Sequence, residues 1–206
     1  GAVNAEFLPY AMDDQHSYLL GLDYTPMRRA FWDIPQGVAK NEFQNVLITM
    51  GGNDSSGTTF QILDVLCSEY PLLKYHVVLG YSNFEEKEEL YHKVDNIQFY
   101  HSLDAESMRD LMLNCDVAIS AAGQTTYEIV RTGLKPIFIQ IADNQYLNMQ
   151  GWYEKGFIRE IISVDSTDYL SRVLDSLKEI KTFSVKLTEK PDSTRNIINS
   201  LLSIYD

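Results

Sequence analysis

Little in this chain belongs to the classes that are easiest to recognise. Two cysteines in 206 residues, Cys67 and Cys115, are too few for a disulfide framework. Each falls in a segment of helical period, which makes them small buried hydrophobes in a protein of a reducing compartment. The histidines, His16, His76, His92 and His101, are scattered with no ligand spacing, so no protein-held metal is expected. Basic residues are in deficit: 17 Lys and Arg against 29 Asp and Glu give a net charge of −12. Without a basic cluster nothing releases counterions from a phosphate backbone, and nucleic acid is not an expected partner. No apolar run approaches the roughly 18 residues that a membrane span needs. No signal peptide opens the chain either, although Gly1 reads as a residue left by cleavage, so that absence excludes little. There is no repeat or low-complexity tract, no G-x-G-x-x-G and no phosphate-loop lysine, which disfavours dinucleotide cofactors and nucleoside-triphosphate hydrolysis. No Ser/His/Asp or Cys/His order and no suggestive carboxylate pair is visible.

What is present is ordinary core-forming material, 45% hydrophobic, in a regular alternation that begins at Val46. Strand-like runs are expected at 46–50, 75–79, 97–100, 117–120, 136–140 and 158–162. Helices are expected at 58–68, 85–93, 105–114, 125–132, 145–155 and 167–180, with a last one at 193–204 capped by Asp192 or Ser193. Six βα units predict an α/β fold, a Rossmann-like doubly wound parallel sheet of about six strands. Residues 1–40 do not join this rhythm: they hold Pro9, Pro26, Pro35 and the basic pair Arg28–Arg29 without a strand pattern. They are expected to be the tail of a preceding N-terminal domain and the linker into the sheet domain of residues 41–206.

The segment from Asp116 to Asn148 carries the most information. Val117 to Ile119 form a strand-like run, Ala121, Ala122 and Gly123 put no bulk at the turn, and Gln124, Thr125 and Thr126 open a helix. The first amides of a helix have no intrahelical partner and can bind an anion, so a phosphate fits there. Glu128, one turn further on, is close enough to accept hydrogen bonds from a sugar's vicinal hydroxyls. Thr125-x-x-Glu128 also spells a capping box that needs no ligand. Asp143, Asn144 and Gln145 close the next strand end, and they too are ordinary cap and loop residues. Both segments follow adjacent expected parallel strands at their carboxyl ends, where open α/β sheets bind ligands. Nucleotide plus sugar is the ligand class this combination suggests.

Other loops say less. Gly51 and Gly52 follow the first strand and let backbone approach a ligand, whereas Asp54 would repel a phosphate and reads better as a helix cap. The loop from Tyr100 to Asp104 can lay backbone groups against a base edge, although His101 by itself reads as a surface residue.

These residues resemble a known group. Gly51 to Asp54 (GGND), the run from Ala118 to Glu128 (AISAAGQTTYE) and Ile141 to Gln145 (IADNQ) look like the nucleotide-binding, C-terminal half of the UDP-sugar hydrolase family of the pseudaminic acid pathway. That family belongs with the GT-B glycosyltransferases related to the N-acetylglucosaminyltransferase of peptidoglycan synthesis. Tyr18 to Arg28 is similar to the segment by which the family leaves its N-terminal domain. The resemblance implies a cytoplasmic, metal-independent enzyme with a UDP-sugar substrate and no further cofactor. It implies that Glu128 holds the ribose hydroxyls, that Gln124, Thr125 and Thr126 take the diphosphate with Gly51 and Gly52 beneath it, and that backbone near Leu103 contacts uracil. Asn144, Gln145 and Asn148 match the loop facing the sugar. The family's catalytic histidine lies in a glycine-rich loop of the N-terminal domain that nothing in this chain matches, so these residues are expected to bind without turning over. The Gln124 turn with two threonines departs from a more usual serine-rich one. Hydrolase, glycosyltransferase and non-catalytic nucleotide-binding module all remain open on this reading.

Overall fold

The computed structural model describes residues 3, 5, 16–34, 43–52, 54, 56–81, 85–91, 94–180 and 193–203. Expectations that touch Gly1, Pro9, Pro35, Asn53, His92 and Asp192 lie outside the described residues. The strands are β1 (Asn45–Thr49), β2 (Lys74–Leu79), β3 (Ile97–His101), β4 (Val117–Ala121), β5 (Lys135–Gln140) and β6 (Ile162–Ser163). The helices are α1 (Thr58–Glu69), α2 (Glu85–Glu89), α3 (Ala105–Asn114), α4 (Thr125–Thr132), α5 (Tyr146–Glu154), α6 (Tyr169–Glu179) and α7 (Ser193–Leu202). All six strands are parallel in the order β3-β2-β1-β4-β5-β6, so the chain reverses its winding between β1 and β4. This is the expected doubly wound sheet.

Period-two alternation divides the core in two. Val46 and Ile48 of β1 face a cluster with Ile62, Leu63 and Leu66 of α1 and Val173 and Leu177 of α6. Leu47, between them, faces the opposite cluster with Met108 and Met112 of α3, Ile129 of α4 and Met149 and Trp152 of α5. The two central strands, β1 and β4, are buried almost throughout, as a parallel sheet covered on both faces must be. His76 bridges the two neighbouring strands along one face of the sheet, its Nδ1 2.9 Å from the Tyr100 hydroxyl and its Nε2 3.3 Å from Asn45 Oδ1. Burial, with the charge of Lys74, holds its imidazole below the ordinary histidine range.

One expectation needs correction. The strand placed at 158–162 is shifted to Ile162–Ser163, where the ladder with β5 begins at the pair Ile139 and Ile162. Phe157 and Ile158 supplied the apolar signal, yet they are buried in the α3, α4 and α5 cluster from an irregular stretch whose Phe157 amide donates to Trp152 O at 2.9 Å. The segment before β1, the leader, packs on the sheet domain. Phe31 is fully buried in the same cluster, with Leu22, Met27 and Ala30 packed against it, so packing crosses the expected boundary at residues 40–41. Cys67 is half-buried and Cys115 buried, neither in a disulfide, and burial with the charge of Asp64 pushes the Cys67 thiol up to about 11.

Candidate functional site

Helices α1, α3 and α4 follow strands β1, β3 and β4 at the carboxyl edge of the sheet, and their amino termini differ. Asp54, 3% exposed, accepts from the Thr58 and Thr59 amides at 2.9 Å each, so α1 is closed by its own carboxylate. Asp104 accepts from the Ser107 amide at 2.7 Å and caps α3, a bond that lowers its carboxyl pKa. At α4 the cap residue is Gln124, in helical conformation and making no side-chain capping bond. The capping box expected at Thr125 is therefore not formed: Thr125 is already the first helical residue, and Glu128 points elsewhere.

Glu128 is 5% exposed, and its carboxylate is forked by Arg28 of the leader, with Nε on Oε1 at 2.7 Å and Nη2 on Oε2 at 2.8 Å. That hydrogen bond is the main reason the Arg28 pKa rises, and the charge of Glu106 in the first turn of α3 adds to it. The start of α3 thus lies within electrostatic reach of the pair. Beside it, the 3-10 turn Arg29–Phe31 and α3 bound an open cleft of about 540 Å³ lined by Arg29, Ala30, Trp32, Asp33, Glu106 and Arg109.

The turn between β4 and α4 is fixed from beneath. Asn148 of α5 donates through Nδ2 to Ala122 O at 2.8 Å and to Thr126 Oγ1 at 3.2 Å, and its Oδ1 accepts from the Tyr127 hydroxyl at 2.9 Å. Thr126, fully buried, donates to Gly123 O at 2.7 Å and accepts from Trp152 Nε1 at 3.0 Å. Both side chains, expected to meet the diphosphate and the sugar, point inward and hold the turn. Gln145 sits on its outer side: Oε1 accepts from the Ile141 amide at 2.9 Å, and Nε2 lies 3.9 Å from where a Cβ on Gly123 would be. Gln124 and Asn144 are exposed, and Gly123 and Thr125 half-exposed, so backbone and a few polar tips form the accessible surface.

At the end of β1, Gly51 and Gly52 are exposed, and Gly51 takes φ +81°, a conformation that favours glycine. Gly80 was not foreseen as part of this loop. A Cβ there would lie 2.3 Å from Gly51 O, and the Tyr81 amide donates to Gly52 O at 2.9 Å, so the end of β2 props the glycine pair. After β3, Ser102 adopts φ 50°, a left-handed backbone in a non-glycine residue, immediately before the half-buried Leu103. Leu103 stands two strands away from β1 and three from β4, and α3 returns from it toward α4. His101 is exposed, with Nε2 3.1 Å from Glu88 Oε2. Arg28 is a further site residue that sequence reasoning missed; it stood in a basic pair and at the end of the family-like segment Tyr18 to Arg28, neither of which pointed to Glu128. Among the described residues, no group of three or more His, Cys, Asp or Glu is placed to hold a metal ion. No described helix is long and apolar enough to cross a membrane.

No family model matches the chain. It is 31% identical over 132 residues to an uncharacterised protein of Methanocaldococcus jannaschii, covering 59% of this chain and 27% of that protein. Over 150 residues it is 27% identical to the Helicobacter pylori pseudaminic acid cytidylyltransferase and UDP-2,4-diacetamido-2,4,6-trideoxy-β-L-altropyranose hydrolase, covering 72% of this chain and 26% of the relative. The chain thus spans about a quarter of the length of the curated relatives it matches. Among solved structures, MurG of Acinetobacter baumannii superposes with a TM-score of 0.60 at 16% identity, covering 94% of this chain and 59% of that one. UDP-GlcNAc 2-epimerase of Neisseria meningitidis, bound to UDP-GlcNAc, gives 0.59 at 15% identity over 80% and 46% of the two chains. MnaA of S. aureus with UDP gives 0.58 at 12% identity over 79% and 45%. At such identities the likeness is one of architecture, and the chain has the Rossmann-like α/β fold found in GT-B enzymes.

Proposed function

We propose that the chain is the nucleotide-binding half of a two-domain UDP-sugar-processing enzyme, most nearly a hydrolase that releases UDP in nonulosonic acid or surface polysaccharide synthesis. The observation that carries this reading is the pairing of a helix start without a side-chain cap at Gln124 with a buried carboxylate, Glu128, one turn further on, beside the sheet's reversal point. Solved structures of the same fold hold UDP or UDP-GlcNAc, which supports the ligand class. The 27% identity to the Helicobacter pylori protein supports the hydrolase.

In this reading the backbone at Gly123, Gln124 and Thr125 receives the diphosphate, with Gly51 and Gly52 beneath it, and Glu128 accepts the ribose hydroxyls. The backbone at Leu103 reads uracil, and the cleft between the leader and α3 leaves room for the nucleoside. Asn144 and Gln145 face the sugar, while Asn148 and Thr126 fix the turn. Helix amides in place of a metal stabilise the departing diphosphate. Water attacks the anomeric carbon and UDP leaves, with a group from the preceding domain acting on the water; the enzyme works in the cytoplasm. A glycosyltransferase, in which an acceptor hydroxyl replaces water, is the second reading, favoured by the 94% of this chain that superposes on MurG.

Thermal denaturation tests the ligand class. UDP is expected to raise the melting temperature, CDP and ADP to raise it less, and EDTA to change nothing. Equal shifts with all three nucleotides would remove the uracil contact, and a shift abolished by EDTA and restored by magnesium would remove the metal-free mechanism. Glu128→Gln is expected to weaken UDP by about 1.5–3 kcal/mol in calorimetric titration, the range for a hydrogen bond to a charged group. UDP release by the full-length parent without an acceptor separates hydrolase from transferase.

A further inference from the structure

We propose that Arg28 is a positioning residue that holds the Glu128 carboxylate aimed at a ribose diol, an assignment that rests on the nucleotide-binding reading above. The Glu128 side chain is 7% exposed and that of Arg28 45%, so the carboxylate lies just under the surface, beneath a guanidinium at the rim. A protonated carboxyl offers a donor and reduced acceptor capacity, and cannot accept from two hydroxyls in the way an ionised one can. The fork supplies the counter-charge and fixes the carboxylate plane with one N–H on each oxygen. An ionised carboxylate has about four acceptor sites. Two sites therefore remain, one on each oxygen, the arrangement a pair of neighbouring hydroxyls requires.

The arginine is itself held. Its guanidinium lies 5.4 Å from the ring centroid of Phe31, which is fully buried. Gln124 Nε2 donates to Pro26 O at 3.1 Å, Trp32 Nε1 to Met27 O at 3.0 Å and Arg131 Nη2 to Trp32 O at 2.6 Å. The leader is thereby sewn to both ends of α4, the helix that bears Glu128. This geometry is that of a fixed support, and Gln124 joins the support to the turn assigned to the diphosphate.

The test compares UDP with 2′,3′-dideoxyuridine diphosphate, which keeps base and phosphates but lacks the diol, in titrations of wild type, Arg28→Met and Arg28→Lys. Circular dichroism confirms that each variant is folded. Arg28→Met is expected to weaken UDP roughly tenfold, as loss of a charge-assisted hydrogen bond would, and to leave the dideoxy ligand unchanged. Arg28→Lys is expected to recover part of the loss. Equal weakening of both ligands would overturn the assignment in favour of a phosphate contact. Tighter UDP binding by Arg28→Met would overturn it in favour of a blocking role, and unchanged affinities in favour of a purely structural pair. Failure of wild type to bind either ligand would instead reject the nucleotide reading on which the assignment depends.

Discussion

Asn148→Ala separates a residue that holds the turn from one that touches the ligand. Asn148 is 8% exposed, and its carboxamide bridges the Tyr127 hydroxyl at 2.9 Å and Ala122 O at 2.8 Å. Truncation removes one partner from each of two buried residues, Tyr127 at 5% and Ala122 at 1% exposed. Thr126 is less affected, since it keeps Gly123 O and Trp152 Nε1 as partners. A buried polar group left unsatisfied costs about 1–3 kcal/mol, so the loss at the two groups is at most about 2–6 kcal/mol, lowered where another partner or water takes the place of the carboxamide. Against a total stability of about 5–15 kcal/mol for a domain, that is a large fraction. In urea denaturation the midpoint is expected to fall with the slope unchanged. Asn148→Asp is expected to cost at least as much, because it sets a carboxylate oxygen where a donor faced the Ala122 carbonyl. A variant within about 0.5 kcal/mol of wild type that lost affinity for a UDP-sugar but not for UDP would refute this reasoning and restore Asn148 to the sugar-facing set.

Asp54→Ala is expected to cost about 1–2 kcal/mol by removing the acceptor of two α1 amides, with Asp54→Asn recovering part. UDP affinity should hold, and a loss of affinity exceeding the loss of stability would point to a direct ligand role. Gly80→Ala is expected to destabilise by about 1–3 kcal/mol, read as a lower denaturation midpoint, because its Cβ meets Gly51 O at 2.3 Å. An unchanged midpoint would mean that the glycine loop yields freely. The depressed pKa of His76 means that the fold favours the neutral ring, so its contribution is present above the ordinary value of about 6.5 and is lost as pH falls through the lower folded value. Melting temperatures at pH 7 and about pH 5.5 should differ less in His76→Gln than in wild type, and equal differences would assign the acid sensitivity to other groups.

The sheet was legible because each central strand is a short apolar run and each helix keeps its stripe, patterns that survive without knowledge of contacts. The last strand was misplaced because Phe157 and Ile158 are apolar for the sake of a helix-side cluster, and periodicity cannot tell a buried irregular stretch from a strand. The leader had no period to read, its order coming from Phe31 and from polar contacts with α4. At the site, the cap formed by Asp54 and the placement of Glu128 followed from local chemistry. The inward turn of Thr126 and Asn148 did not, because one residue of helix register decides whether a side chain meets core or cleft. Nothing in the sequence announces that Arg28 and Glu128 meet across a separation of 100 residues.

That separation bears on the order of folding. Arg28 finds its carboxylate 100 residues later, and Asp23 receives the Asn196 amide across 173. Closing such loops costs more entropy than pairing neighbouring strands, so the leader, although it precedes the sheet in sequence, docks after β1 and β4 have formed the surface it covers. Until then Phe31 has no apolar shell and is exposed to whatever else would bind it. Pulse-labelled hydrogen exchange during refolding is expected to protect the Ile48 amide before that of Phe31, and the reverse order would show that the leader nucleates the fold.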